Sequence, residues 1–555
     1  MTAFKLAVIL GLLSLLISPI SALRATRMSR CYMLLDQSDN WIKEMGDGTG
    51  IKVKNVNIKT VNGIRGIVAN SVIDKNIGPI VSVDANLALE ITNDRPPTPF
   101  PELCPQSLWE ESMWDQRLAF KLINEIILGN KSPKYSWIKQ LPSKFTTTFQ
   151  WNDNILNELQ YDVIINKVYI QRQDWKENFK KWKSATSSNT VLKNFTYDDY
   201  VYALECVNSR AFSGIYEGSN ASQRQQLLIF TAGLTVVWPL LGFGTVEQSL
   251  SAAFAVALSL IVRDVFFSKV SGLKRYVMCP YIDMFNHKST VASDVSYNYF
   301  NNQFEVIINN EAYTKDQEVF ISYGKQSNDR LLQYYGFIEQ NCPFDVYDYG
   351  VNMIDLLLQY GDELGKVVPY PTQPSPKERL QQIASALKST QVENNNNNKK
   401  VVNSYDLTTR YFRTSPPTDN IITNPNSLTR HFDELSVRCL RALYSSADEW
   451  QSICTTNDQL LTLDKLGQAL SPDTESKVFM ALKNIASQEL SKKKSTIDED
   501  YQLLANLGNK NGFAKAKQVS ASDVKADGET GALATAIEFR IEKKKMLEEI
   551  NNYNT

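Results

Sequence analysis

The sequence predicts an α+β protein. A β-rich N-terminal domain is interrupted by a helical insertion with an apolar helical hairpin, and an all-α domain follows. Three patterns carry that expectation. Residues 51–58 (IKVKNVNI) alternate as a strand does, residues 109–202 and 428–550 space their apolar side chains as helices do, and residues 226–262 are almost wholly apolar. At 555 residues the chain has room for about two or three domains, and 43% hydrophobic with 10% aromatic content suits packed cores.

In chain order, Lys5 precedes the apolar run 6–17 and a small-residue stretch, 18–22, which together have the pattern of a signal peptide. LRATRMSR follows, with three arginines and no acid, so residues 1–30 are expected to be an address and not part of the fold. Residues 37–46 read as a short amphipathic helix with Trp41, Ile42 and Met45 on one side. After strand 51–58 comes NGIRGIVANSVIDKNIGPIVSVDANLAL, a strand–turn–strand segment with Gly63 and Gly66. Helical spacing then runs from 109 to 202, with a proline-marked connection near 133–142, and ends at VNSRAF, residues 207–212.

Within 226–262 only Glu247 is charged, and each half is near or below the roughly 17–25 residues of a transmembrane helix. The absence of a polar face favours a membrane-embedded or re-entrant hairpin over a buried pair of core helices. PYIDMFNH (280–287) and ISYGKQSNDRLLQYYGF (321–337) come next. The asparagine run 394–398 reads as a flexible surface loop. Beyond it, Leu428, Phe432, Leu435, Cys439 and Leu443 share one helical face, as do Val478, Leu482 and Ile485, and Thr496 with Glu499 has capping-box spacing. The lysine runs 492–494 and 543–545 read as solvated helix ends.

Composition excludes several chemistries. A net charge of −1 gives no electrostatic case for nucleic acid. The seven cysteines are scattered without CxxC spacing, so no metal site is expected. Only His287 and His431 are present, too few for a zinc hydrolase, and a Ser/His or Cys/His nucleophile finds no support.

The two segments 280–287 and 321–337 resemble the closing half of a SET domain, in the branch typified by the plant RuBisCO large-subunit methyltransferase. NGIRGIVA resembles the opening of that domain. STIDEDYQLL and TAIEFRIEKKKMLEEI resemble stretches of the branch's helical C-terminal domain, which holds the protein substrate. The resemblance implies a SET domain at 37–345 with its insertion at about 109–275, and a substrate-binding domain at 350–555. It implies S-adenosyl-L-methionine as donor and a protein lysine as acceptor. The missing cysteine-rich cluster points away from the histone-directed enzymes.

Carried over residue by residue, the resemblance implies that Gly66 approaches the donor by its backbone and that Arg210 meets the methionyl carboxylate. It implies that Asp283, Asn286 and His287 form the donor turn, and that Tyr323 is catalytic. Tyr335 and Phe337 are expected to wall donor and lysine channel, and Phe212 to line the channel beside Ala211. Arg65 falls outside the matched pattern and carries no expectation. The alternatives are a histidine methyltransferase of the same branch and a catalytically silent SET scaffold at a membrane. A monomer is expected, with membrane association through 226–262. The expected destination is a plastid, with secretory entry as the alternative.

Overall fold

The computed structural model describes residues 40–45, 50–92, 97–215, 246–262, 274–356, 365–396, 408–413, 428–454, 461–508 and 528–553, less a few single positions, and scattered residues of 229–245. The address segment 1–30 lies outside the described residues. Among them, every strand but Thr408–Phe412 ends by residue 352, while helices run through both halves.

The N-terminal half builds small sheets around one core. Asn40–Glu44 forms the first helix and buries Trp41 and Met45. The strand expected over 51–58 is two strands, β1 (Ile51–Val53) and β2 (Val56–Val61). Asn55 between them has φ +61, a left-handed conformation that asparagine tolerates, and this bend sends the two pieces to different sheets. β2 pairs antiparallel with β3 (Ile64–Ala69), the chain turning through Gly63 at φ +85. β1 joins β4 (Pro79–Asp84), β10 (Gln303–Ile307) and β9 (Asp294–Asn298) in the order β1–β4–β10–β9. A third sheet sets β7 (Lys274–Met278) between β5 (Leu89–Thr92) and β6 (Phe212–Ile215).

The insertion is helical as expected, chiefly Trp114–Leu128, Asp162–Ala185 and Tyr197–Arg210. Its packing is divided. Leu118, Trp182 and Tyr200 join the N-terminal core, whereas Trp151, Leu156, Ile164 and Val168 pack into the core of the C-terminal half.

Most of 226–245, the first half of the expected apolar hairpin, lies outside the described residues. Val246–Val262 is one helix of 17 residues, and no helix among the described residues is long and apolar enough to cross a membrane. Nor does it lie in the core. Val246, Leu250, Phe254, Val256, Leu258 and Val262 are all exposed, Phe254 to 70%. In chain order this helix falls between β6 and β7.

Three further expectations are corrected. Lys543 and Lys544 are not at a solvated helix end. They sit within the Glu529–Asn552 helix, 2% and 1% exposed, with Lys543 Nζ 2.5 Å from Asp329 and Lys544 Nζ 2.5 Å from Asp500. The face running from Leu428 to Leu443 belongs to two helices, Leu428–His431 and Glu434–Tyr444, because Asp433 stops the first and caps the second by accepting from Ser436 N. The Pro376–Asn396 helix runs through the first three asparagines of the predicted loop. The C-terminal half also carries a two-stranded ribbon, β12 (Val346–Asn352) with β13 (Thr408–Phe412), added to its helices. The Thr496 capping box forms as expected, Thr496 N donating to Glu499 and Glu499 N to Thr496 Oγ1.

Candidate functional site

Two strands of two residues each join the segments that carry the sequence motifs. β8 (Asn286–His287) pairs parallel with β11 (Phe320–Ile321), Asn286 opposite Phe320 and His287 opposite Ile321. Tyr323, two residues beyond β11, is thereby held against His287. Its backbone N–H donates to His287 Nδ1 at 3.0 Å, and the two rings stack at 4.9 Å. The Tyr323 hydroxyl donates to the carbonyl of Phe285 at 2.6 Å, the residue before Asn286.

The turn into β8 is strained. Tyr281 has φ +67 and ψ −45, and Ile282 N–H donates back to Pro280 O at 2.8 Å, a γ-turn of the rare hand. Burial of Tyr281 and its stacking on Trp41 at 6.4 Å hold it there. The turn points Asp283 inward, where its carboxylate accepts from Trp137 Nε1 at 3.3 Å and lies 3.5 Å from Arg210 Nη1. Arg210 also donates to the Asp283 carbonyl at 2.7 Å. Burial raises the Asp283 pKa, opposed by Arg210 and Arg65. Desolvation chiefly, with Arg210 as second cause, lowers that of Arg65, so two guanidinium groups share one buried carboxylate. Asp283 Oδ1, Arg65 Nη1 and Arg210 Nε are buried without a hydrogen-bond partner among the described residues.

His287 is neutral in this setting. Desolvation lowers its pKa despite Glu339, whose Oε2 is 3.8 Å from Nε2. Since Nδ1 accepts from Tyr323, the ring proton resides on Nε2, facing Ser289 Oγ at 3.3 Å. Burial also raises the Tyr323 pKa, so its phenol keeps its proton at neutral pH.

The aromatic wall depends on an irregular turn. Leu331–Tyr335 forms a π-helical turn that ends at Gly336, φ +77. π turns recur at functional positions because the extra residue redirects side chains. Here Tyr335 lies 5.0 Å from Tyr323 between ring centroids and 6.2 Å from Phe337, while Phe337 lies 6.3 Å from His287. Tyr323, His287, Tyr335 and Phe337 thus form one cluster. Phe212 makes its ring contact elsewhere, edge-on to Phe304 at 5.6 Å. Ser327 precedes this turn without a side-chain cap, and buried Asn328 ties the loop instead, donating to Glu339 O and Asp345.

Gly66 faces the same space from β3. A Cβ there would lie 2.5 Å from Glu318 Oε1 and 2.8 Å from Asn286 Nδ2, so only glycine lets these two side chains seat this closely on β3. The sequence reading missed two residues here, Arg65 and Glu318. Asn286 Nδ2 donates to Glu318 Oε1 at 2.7 Å and lies 3.3 Å from the Arg65 carbonyl. Arg65 was legible only as the neighbour of Gly66, and no motif marked Glu318. A cavity of about 860 Å³ lies beside the cluster, not within it, between residues 325–348 and 410–434.

Comparison with known proteins bears on both halves. Residues 407–547 match the Rubisco LSMT substrate-binding family. The solved SET domain of LSMT bound to lysine and AdoHcy superposes with a TM-score of 0.54 at 16% identity, over 92% of this chain and 88% of that one. Rubisco LSMT bound to AdoMet gives 0.53 at 16%, over 92% and 89%. The ribosomal lysine N-methyltransferase set10 of Schizosaccharomyces pombe is 22% identical over 227 residues, 40% of this chain and 31% of that protein. Human SET domain-containing protein 4 is 33% identical over 66 residues, 12% and 15% respectively. The chain therefore spans less than a third of the length of these curated relatives.

Proposed function

For a chain with the SET-domain fold of LSMT and a Rubisco LSMT substrate-binding module at 407–547, we propose that it is an S-adenosyl-L-methionine-dependent protein-lysine N-methyltransferase acting on a non-histone protein. The observation that carries this reading is the Tyr323 hydroxyl on the Phe285 carbonyl, against the turn of Asn286 and His287. Of the relatives named above, set10 is a lysine methyltransferase by name, and LSMT was solved with lysine and AdoHcy or with AdoMet.

The residues present suit such a donor. Gly66 offers its backbone with no Cβ in the way, Arg210 has a buried Nε without a partner for the carboxylate, and Asn286 lies against Gly66 and the Arg65 carbonyl. The donor supplies an electrophilic methyl on a sulfonium; the protein has only to align an uncharged amine with it. Taking a proton from a free lysine at pH 7.4 costs about 4 kcal/mol, from three pKa units at ~1.36 each. The wall of Tyr335 and Phe337 lowers that cost by disfavouring the ammonium. Tyr323, a phenol at neutral pH, holds its oxygen dipole where sulfonium and amine meet. Ala211, apolar and directly after Arg210, suits a lysine stem better than an imidazole.

Incubation with labelled donor and a cell extract, with mass spectrometry of the labelled protein, tests the reading. Label on lysine with the wild type and none with Tyr323→Phe supports it. Donor binding without transfer by either form would leave a silent scaffold.

For the exposed helix Val246–Val262 we propose membrane association through its apolar side chains, since a patch of this size on a protein surface marks an interaction site. Co-sedimentation with lipid vesicles should fall on Leu250→Glu with Phe254→Glu. For residues 1–30 we propose plastid addressing, tested by fusing them to a fluorescent protein.

A further inference from the structure

We infer that Glu318 is a donor-binding residue which recognises the α-ammonium of the methyl donor. The inference rests on the proposed function and adds a residue that the sequence motifs do not assign. A sulfonium donor of this class carries an aminobutyrate tail with a carboxylate at one corner and an ammonium at the other. The site is polarised in the same sense. Arg210 and Arg65 gather beside Asp283 with two buried guanidinium nitrogens lacking partners. Away from that pair, the Glu318 carboxylate and the Arg65 carbonyl converge within 2.7 and 3.3 Å of a single nitrogen, Asn286 Nδ2. An ammonium entering beside Asn286 shares with its amide two acceptors that each have a further lone pair, one of them charged.

Two features make this more than a surface acid near a pocket. The Glu318 backbone is fixed to the sheet: it bridges Val68, and Val319 N–H donates to Ile67 O at 2.8 Å. Gly66 lets the carboxylate and the Asn286 amide sit directly on β3, because a Cβ there would stand 2.5 Å from Glu318 Oε1 and 2.8 Å from Asn286 Nδ2. The carboxylate is half-buried, so its charge is only partly screened.

The test is a binding cycle by calorimetry with the full-length chain, wild type and Glu318→Gln, against S-adenosylhomocysteine and its desamino analogue. Glutamine keeps an acceptor for Asn286 and removes the charge. Glu318→Gln is expected to weaken S-adenosylhomocysteine about tenfold, as for loss of one partly exposed charge-assisted bond, and to leave the desamino analogue unchanged. Equal affinities in both proteins, or equal losses for both ligands, would overturn the inference. Should the wild type bind neither ligand, it is the donor site itself that fails.

Discussion

Replacing Gly66 with alanine probes whether the close seating of Asn286 and Glu318 on β3 serves a ligand or is chance packing. Gly66 is not at positive φ, so alanine costs the backbone nothing there. Its methyl would come within 2.5 Å of Glu318 Oε1, 3.3 Å of Glu318 Cδ and 2.8 Å of Asn286 Nδ2. All three atoms end flexible side chains, so the protein relaxes by parting Asn286 from Glu318. That breaks the 2.7 Å charge-assisted hydrogen bond, worth about 1.5–3 kcal/mol at most for two half-exposed groups. Folding should therefore survive, with a loss near the lower bound, about 1–2 kcal/mol. Ligand affinity should suffer more, since the methyl displaces Asn286 and Glu318, two proposed donor contacts, together: roughly 10- to 100-fold for S-adenosylhomocysteine, at about 1.4 kcal/mol per decade. Thermal melts of the free protein and calorimetric titration separate the two effects. Wild-type affinity in Gly66→Ala would refute the claim that this glycine serves a donor.

Four other outcomes are expected. Tyr323→Phe should lower kcat about 100- to 1000-fold, as loss of an aligned dipole does elsewhere, while donor affinity changes less than threefold because the stacked rings remain. Gly336→Ala forces a side chain into φ +77 with its Cβ 3.0 Å from the Thr146 backbone, and should cost about 2–4 kcal/mol in denaturant titrations. Lys543→Met strands Asp329 and Asp345 without their shared cation and should cost about 3–5 kcal/mol by the same measurement. Burial sets the folded pKa of His287 below its unfolded value near 6.5, so its contribution is full above that pH and fades as pH falls through the folded value. Between pH 7.5 and 5.5 the melting temperature of His287→Gln should therefore fall less than that of the wild type.

The sequence was most informative where one local pattern determines one local structure. The capping box at Thr496 and the alternation of β2 need no distant partner to be read. The motifs at 280–287 and 321–337 were legible as chemistry, yet what unites them, the pairing of Asn286 with Phe320, is a contact across 34 positions. Arg65 and Glu318 escaped notice for the same reason. Their roles arise from Asn286 meeting them at separations of 221 and 32 residues, and a lone arginine or glutamate in a strand is ordinarily a solvated side chain. Lys543 was misread because a lysine run in a helix usually faces water; only the fold supplies Asp329 and Asp345 to bury it. The asparagine at 55 looked like one more polar position in an alternating strand, and its left-handed φ split the strand in two.

That buried lysine also shows how the two halves act as one unit. Lys543 Nζ donates to Asp345 at 2.8 Å, and Asp345 accepts the Asn328 backbone N–H at 2.9 Å and its side-chain amide at 3.0 Å. Asn328 in turn exchanges hydrogen bonds with the backbone of Glu339, whose carboxylate accepts from Ser289 N and stands 3.8 Å from His287. An unbroken polar path therefore runs from the C-terminal helix to the histidine that orients Tyr323. The π turn bearing Tyr335 hangs from the same Asn328. Each link is short and mostly buried, so a shift of the C-terminal helix meets resistance at every step. A loosely tethered module would have no need of two carboxylates around one lysine. The arrangement suits a protein in which whatever the C-terminal half holds must meet the aromatic wall in one fixed register.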